Sequence, residues 1–554
     1  MRPGVDDGGR MLDRIFDYVI VGAGSAGAAL AARLTEDPAV TVLLLEAGPD
    51  YRSEEAPAAM QSHNHGEILL GEEYRQVYQW PGLAARRSEW QKAAPFVRGR
   101  GMGGSSAING LIGLRGEMED FDRWAALGCA GWTGRDVLPS FVRLEDDLNF
   151  GDAPYHGRGG PVPLCRVPVE AWGAVDLALR EAAVGLGYGW AEDYHVPGST
   201  GVSPVALTMR EDRRVSTNDG YLEPARGRAN LTVVGGALVD RVAFEDDSAE
   251  RGTGKRKRAV GVRVVGVDGL TAREGGGTVL RGREVLLCAG AVHSPAVLMR
   301  SGIGPAKALE AAGVRLVVDL PGVGRNLRDH PTVGMHLKLR PEARANGPHA
   351  RRTSCCVRYG SGLAGAGRND MLMASCNVFG IEGEALERGV IVVSVFQAFS
   401  QGQLWIESAD PQVEPVIEER MLSDRRDLVR LRDGVRRLFA LAGHAAIRGI
   451  AEEISLGDLY GGRRGGFDGA VSDEALDRWL LEECLDCFHI VGTCRMGAVG
   501  DPGAVVDSDC RVVGVDGLRV IDASVMPEVP RANTHLTAVM IGEHMAEKMK
   551  GSGQ

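Results

Sequence analysis

Asp17-Tyr18-Val19-Ile20-Val21-Gly22-Ala23-Gly24-Ser25-Ala26-Gly27, followed by Leu43-Leu44-Leu45-Glu46-Ala47-Gly48, carries the clearest structural signal in the chain. It reads as strand, glycine-rich turn, helix, strand and acidic residue. The glycines fall in a G-x-G-x-x-G pattern, which lets a backbone approach a pyrophosphate. Gly22 permits the tight turn, Gly24 leaves room for phosphates, and Gly27 lets the helix pack close to the sheet. The helix N-terminus then faces the negative charge. Glu46 stands 19 residues after Gly27, where a carboxylate can bind ribose hydroxyls. The pattern alone says little in a chain with 77 glycines, so its context matters. Tyr18 to Val21 and Thr41 to Leu45 are apolar runs, and Ala26 to Leu34 is a small-residue helix. These predict a βαβ unit holding an ADP-containing dinucleotide. A carboxylate at Glu46 would repel a 2′-phosphate, so a free ribose is expected rather than NADP.

At 554 residues the chain is too long for one ordinary core, and two or more structural units are expected. Hydrophobic content of 44% and charged content of 25% are those of a globular protein. The net charge of −11 argues against nucleic-acid binding. No apolar run is long enough to span a bilayer. Met1 to Asp7 has no apolar core of a secretory signal, and residues 1–13 are expected to form a disordered lead. A cytoplasmic protein follows. Ten cysteines do not suggest a disulfide scaffold in a chain this long. Cys484-Leu485-Asp486-Cys487 has no second CxxC or close histidine pair to complete a metal site, so it reads as two thiols one helical turn apart. No metal site is expected.

Asp50 to Arg75 is polar and reads as a loop or lid. A second glycine cluster runs from Arg98 to Gly110. Leu231 to Val234 and Ala259 to Val264 read as strands of an antiparallel meander, with the basic run Lys255-Arg256-Lys257-Arg258 at a solvated hairpin tip. Glu284 to Gly290 is a buried strand ending in glycine. Glu342 to Asp370 shows no period and reads as loops. Ser423 to Ala442 is an amphipathic helix with Ser423 as N-cap and Leu428, Leu431, Val435, Leu438 and Ala442 on one face. Leu518 to Ser524 is a short strand and turn expected to rejoin the N-terminal sheet. Leu536 to Met549 is a helix.

These landmarks together resemble the glucose–methanol–choline (GMC) oxidoreductases. The resemblance covers Asp17 to Lys548. It rests on the first glycine turn, on Arg98 to Asn109, on Gly290-Ala291-Val292-His293-Ser294-Pro295 through Pro305, and on Leu320-Pro321-Gly322 through Pro331. His489-Ile490-Val491-Gly492-Thr493-Cys494 and Asp522-Ala523-Ser524-Val525-Met526-Pro527 complete it. It implies an α/β plus α+β architecture: a discontinuous Rossmann-like FAD-binding domain and a substrate-binding domain of β-sheet and helices. The expected boundaries are 14–168, 203–330 and 486–554 for the first, and 169–202 and 331–485 for the second.

The cofactor implied is FAD. Its expected contacts are Gly22, Gly24, Ser25, Ala26 and Gly27, then Glu46 and Ala47. In the second glycine cluster they are Arg100, Gly103, Gly104, Ser105 and Asn109, the last near the isoalloxazine or in the substrate pocket. Val239 is expected by the adenine half, and Asp522 and Ala523 by the pyrophosphate and ribityl chain. Members that tether FAD through histidine carry it at the position of Ile108. Isoleucine has no nucleophilic nitrogen, so dissociable, noncovalent FAD is expected.

Alcohol oxidation needs loss of the hydroxyl proton and delivery of a hydride to flavin N5, and histidine suits the first step because its pKa lies near neutrality. By resemblance His489 is the base and His535 the second catalytic group. His293 reads as structural, and His330 stands where it could edge the substrate cavity. Choline-oxidising members place a glutamate where this chain has Thr332, so choline is disfavoured and a neutral primary alcohol is expected. Oxygen, a quinone or a small redox carrier would take the electrons. The alternative is a flavin-containing hydroxynitrile-lyase-like enzyme of the same fold.

Overall fold

β1 (Ile15–Val21) and β2 (Val42–Leu45) lie parallel, joined through α1 (Ser25–Leu34). The computed structural model describes residues 14–245, 257–266, 277–347, 350–363, 365–378, 380, 383–457 and 471–551. Val19, Ile20 and every residue of β2 are buried, as parallel strands covered on both faces require. The sheet has eight strands. Its main path runs β3 (Leu231–Val234), β2, β1, then β6 (Thr278–Leu287), β5 (Lys257–Val265) and β4 (Leu238–Phe244). β4, β5 and β6 form an antiparallel meander. β3 does not join it. It runs parallel along the outer edge of β2, where the Asn230 and Val234 carbonyls accept the Val42 and Glu46 N–H groups.

Leu518–Val520 pairs in parallel with the end of β6, so this late strand does rejoin the N-terminal sheet. The expected lead at 1–13 and residues 251–256 of the basic segment lie outside the described residues; Lys257 and Arg258 begin β5. α2 (Gly290–Arg300) follows β6 directly.

A second, antiparallel sheet of seven strands faces the cavity described below. Its path is β11 (Ala451–Gly457), β7 (Pro331–Leu339), β10 (Arg388–Val395), β9 (Met371–Cys376), β8 (Cys355–Tyr359) and Gly201–Pro204, with Leu485–Asp486 beside the start of β7. β8 crosses a region expected to be loop. All of its residues are buried, so the strand lacks the polar–apolar alternation by which a strand is recognised. Gly201–Pro204 straddles the boundary expected at residue 203 and belongs to this second sheet.

Three further local expectations change. Asp50 to Arg75 is not a plain loop: Ala58–Gln61 and Gly66–Leu70 are short helices, and Glu72–Tyr78 continues past it. α3 (Arg425–Gly443) is capped by Asp424 rather than Ser423, because the Asp424 carboxylate accepts the Arg426 N–H at 2.9 Å. Cys484 and Cys487 do not lie one helical turn apart, since the helix Asp473–Glu483 ends before them and Leu485–Asp486 is extended.

α4 (Thr534–Gly551) is longer at both ends than its apolar stripe suggested, and packs across α1. Glu543, fully buried, fixes it: its carboxylate accepts from Arg33 Nε at 2.8 Å, Arg143 Nε at 2.7 Å and the Tyr221 hydroxyl at 2.6 Å. Removing one partner of such a buried pair typically costs ~3–5 kcal/mol, so the arrangement strongly holds α4 in register. His535 sits in its first turn. Among the described residues no helix is long and apolar enough to cross a membrane.

Candidate active site

A cavity of about 740 Å³ runs between the edge of the first sheet and the face of the second. That lies within the roughly 300–1,000 Å³ usual for cofactor and small-ligand sites. Val21, Gly22, Gly24, Ser25 and Glu46 form one end of its wall; Thr332, Phe396, His489, Asn533 and His535 also line it.

The glycine end is built from two turns in contact. The Gly103 N–H donates to the Ala23 carbonyl at 2.9 Å, and a Cβ added at Gly104 would stand 2.8 Å from Gly24 Cα. The result is a strip of bare backbone at the start of α1, where N–H groups and the helix dipole favour a pyrophosphate. A dinucleotide therefore fits this wall on steric and electrostatic grounds. Gly24, Ser25, Ala26, Glu46, Ala47, Gly104, Ser105, Asn109, Val239, Asp522 and Ala523 all line the cavity, as does Gly22.

Three residues expected as contacts stand behind the wall. Gly27 packs under the turn, where a Cβ would come 2.0 Å from the Gly22 carbonyl oxygen. Gly103 holds the two turns together through its N–H. Arg100 Nη2 reaches the Ala47 carbonyl at 3.3 Å while its guanidinium lies 5.5 Å from the Trp80 ring centroid.

The two carboxylates on the wall are already engaged. Glu46 accepts backbone N–H groups from Ala23, Gly48 and Gly101 at 2.9–3.0 Å. Burial pushes its pKa up and these bonds oppose the shift. A carboxylate offers about four acceptor sites, so one remains for a ribose hydroxyl. Asp522 accepts from Gly290 N–H at 2.8 Å, Ser294 Oγ at 2.5 Å and Ser524 N–H at 2.8 Å. It thereby ties the strand end to the N-terminus of α2. Asn109 Oδ1 accepts from Arg214 Nη1 at 2.8 Å and from the Leu111 N–H at 3.0 Å.

The histidine end follows from strand pairing. Arg328 and Val491 exchange backbone hydrogen bonds at 3.1 and 2.9 Å, and Pro331–Thr332 pairs with Leu485–Asp486. His330 and His489 are thus brought together with their rings nearly perpendicular and 2.9 Å between their Nδ1 atoms. His330 Nε2 lies 3.1 Å from the Pro530 carbonyl oxygen. Asn533 Nδ2 lies 3.1 Å from His489 Nε2, and Ser25 Oγ lies 3.2 Å from His535 Nδ1. Burial, with His330 and Arg98 nearby, holds His489 well below the usual histidine range. Burial, then Arg214, lowers His535 to about 4; burial lowers His330 to about 3. All three rings are neutral near pH 7.

His330 does not edge the cavity. It lies fully buried behind His489, stacked on Phe396 with ring centroids 4.4 Å apart. His293, read as purely structural, does reach the wall, where it stacks on Trp80 at 3.8 Å and meets Glu414 at 3.2 Å. Asn533, Arg98, Phe396 and the Cys288–Val292 segment are wall residues that the sequence reading did not single out. Asn533 stands two residues before His535, and that proximity was the available signal. Behind the His489 loop, Arg87 pairs with Asp486 at 2.7 Å. Burial and Asp486 there push the neighbouring Asp329 carboxyl up to about 8.

Two family models match, both described as GMC oxidoreductase, over residues 16–332 and 398–542. The chain is 35% identical to a 5-(hydroxymethyl)furfural oxidase from Methylovorus sp. (strain MP688), covering 97% of this chain and 99% of that one. It is 36% identical to an oxygen-dependent choline dehydrogenase from Pseudomonas fluorescens (strain SBW25), covering 97% and 94%. A crystal structure of pyridoxine 4-oxidase from Mesorbium loti superposes with a TM-score of 0.83 at 29% identity, covering 97% and 99%. The chain belongs to the GMC oxidoreductase family, and is thus an FAD-dependent oxidoreductase acting on CH–OH groups.

Proposed function

We propose that this enzyme oxidises neutral primary alcohols to aldehydes, with His489 as the base and His535 as the group that steadies the developing alkoxide. One observation carries the reading: His489, Asn533 and His535 lie on the same wall as the glycine strip. When bound along that strip, FAD supplies the hydride acceptor. His489 Nε2 faces the cavity and takes the hydroxyl proton. Its lowered pKa keeps it unprotonated in the free enzyme. With the Ser25 hydroxyl donating to His535 Nδ1, His535 Nε2–H is left to donate to the alkoxide oxygen. Residues 14–168, 203–330 and 486–554 would form the flavin-holding part, and 169–202 with 331–485 the substrate part, save that Ser203–Pro204 and Asp486 go with the second sheet.

The relatives' names divide between a furan alcohol and choline, and the wall favours the neutral substrate. Thr332 is 1% exposed; its hydroxyl donates to the Val393 carbonyl at 3.2 Å and accepts from Ser394 Oγ at 2.7 Å. The carboxylates lining the described wall are Glu46, Asp486 and Asp522, each already bonded to backbone or arginine. A trimethylammonium group would find no free counter-charge, which costs roughly one to a few kcal/mol in a partly desolvated site. With an artificial acceptor, choline should show kcat/KM at least about tenfold below that of 5-(hydroxymethyl)furfural or benzyl alcohol. Choline turnover equal to theirs contradicts this substrate assignment.

Ile108 is buried against the cavity and offers no nucleophile for a flavin linkage. Denaturing the yellow holoenzyme in urea and filtering it should pass all flavin absorbance into the filtrate. Flavin retained with the chain would show a tether elsewhere.

A further inference from the structure

We infer that His330 is a positioning residue that fixes the tautomer of His489, so that its bare nitrogen is the one facing the substrate. The inference rests on His489 being the base. It begins at Pro530, whose carbonyl oxygen can only accept a hydrogen bond. That oxygen faces His330 Nε2 at 3.1 Å, so Nε2 carries the hydrogen. His330 is fully buried, and its ring is held flat against Phe396 with 7° between the planes. A neutral ring has a single N–H, so His330 Nδ1 presents a lone pair.

That lone pair points at His489 Nδ1 from 2.9 Å. Two lone pairs do not meet at this distance, so His489 Nδ1 is the donor. Being neutral, His489 then has its lone pair on Nε2. Asn533, which donates its amide to Nε2 at 3.1 Å, fits that assignment from the other side. A chain of two contacts, from Pro530 through His330 to His489, thus orients the base. When the alcohol proton moves to Nε2, the Nδ1–H bond to His330 persists, and only the Asn533 amide has to give up its bond to Nε2. The ring behind the base is a neutral acceptor. The group in contact with Nδ1 is thus an uncharged ring, and a carboxylate at that position would instead raise the pKa of the base.

Two amide substitutions separate orientation from packing. In His330→Asn the side-chain amide reaches the Nδ1 position and can turn its oxygen toward His489. In His330→Gln the amide reaches the Nε2 position, keeps the Pro530 contact and leaves His489 Nδ1 without an acceptor. Holoenzyme of each is mixed anaerobically with benzyl alcohol, and flavin bleaching is followed. His330→Asn should stay within about threefold of wild type. His330→Gln should lose about 10²-fold in bleaching rate at unchanged benzyl alcohol Kd and FAD content, the scale of one misplaced general base. Equal impairment of both variants, or wild-type rates in both, overturns the inference. Nitrogen-15 spectra of histidine-labelled wild-type holoenzyme give the tautomer directly and need no variant. They should show a protonated Nδ1 and a bare Nε2 on His489, and the reverse assignment overturns the inference even if His489 proves to be the base. If His489→Gln bleaches at the wild-type rate, the base assignment fails instead.

Discussion

Replacing His489 by Gln lowers the rate of alcohol oxidation by about 10²- to 10⁴-fold while FAD stays bound, the range contributed by a positioned general base. Glutamine fills most of the imidazole's volume and can still meet Asn533, but it cannot accept a full proton. The loss should therefore fall on kcat and kcat/KM together, with little change in substrate Kd. The pH profile makes the same point. A base acts in its unprotonated form, and burial places the His489 pKa well below the ordinary histidine value of 6.5. Activity of the wild type should hold as pH falls to 6.5 and decline only below it. An acid limb centred above 6.5 would mean that another group limits the reaction. Glutamine in place of His489 should remove that limb altogether.

Gly22→Ala should cost about 2–5 kcal/mol of stability and leave the protein largely without FAD. Two effects add. Gly22 has φ +102°, a conformation that a side chain disfavours by ~1–2 kcal/mol. An added Cβ would also lie 2.5 Å from the Cys288 carbonyl oxygen and 2.8 Å from its carbon. That backbone cannot retreat easily, because the Cys288 N–H is bonded to the Val21 carbonyl at 2.7 Å and the Ile521 N–H to the Leu287 carbonyl at 2.8 Å. Overpacking of this kind typically costs ~1–3 kcal/mol. Flavin-to-protein ratio and thermal melting of Gly22→Ala test it. Gly449→Ala is the control: it lies in the helix Ala445–Ile450 with open space around its Cβ position, and should match wild type. Full flavin loading and unchanged melting of Gly22→Ala would contradict the steric account of the turn.

The nucleotide turn was readable because its physics is local. A buried apolar run, a glycine that needs positive φ and a small-residue helix all fall within Asp17 to Leu34. The histidines were less accessible. Nothing near His489 in sequence distinguishes it from a hydrogen-bonded structural histidine, and the motif resemblance alone singled it out. Its partner His330 lies 159 residues away, and Pro530 stands 200 residues from His330. The pairing of Arg328 with Val491 and of Pro331–Thr332 with Leu485–Asp486 brings the rings together, and side-chain pattern does not encode that register. β8 was hidden for a different reason: burial on both faces erases alternation. At α3 the sequence offered Ser423 and Asp424 side by side, both able to cap, and the backbone chose the second.

If His489 couples an alcohol to FAD across this cavity, the flavin itself reports the reaction. Anaerobic mixing of the purified holoenzyme with 5-(hydroxymethyl)furfural or benzyl alcohol, watched through the flavin absorbance, tests it most directly. All bound flavin should bleach in a single turnover, with one aldehyde formed per FAD. Flavin that stays oxidised with these alcohols, while the same enzyme cleaves a cyanohydrin such as mandelonitrile, would contradict it and assign the site to the non-redox lyase chemistry.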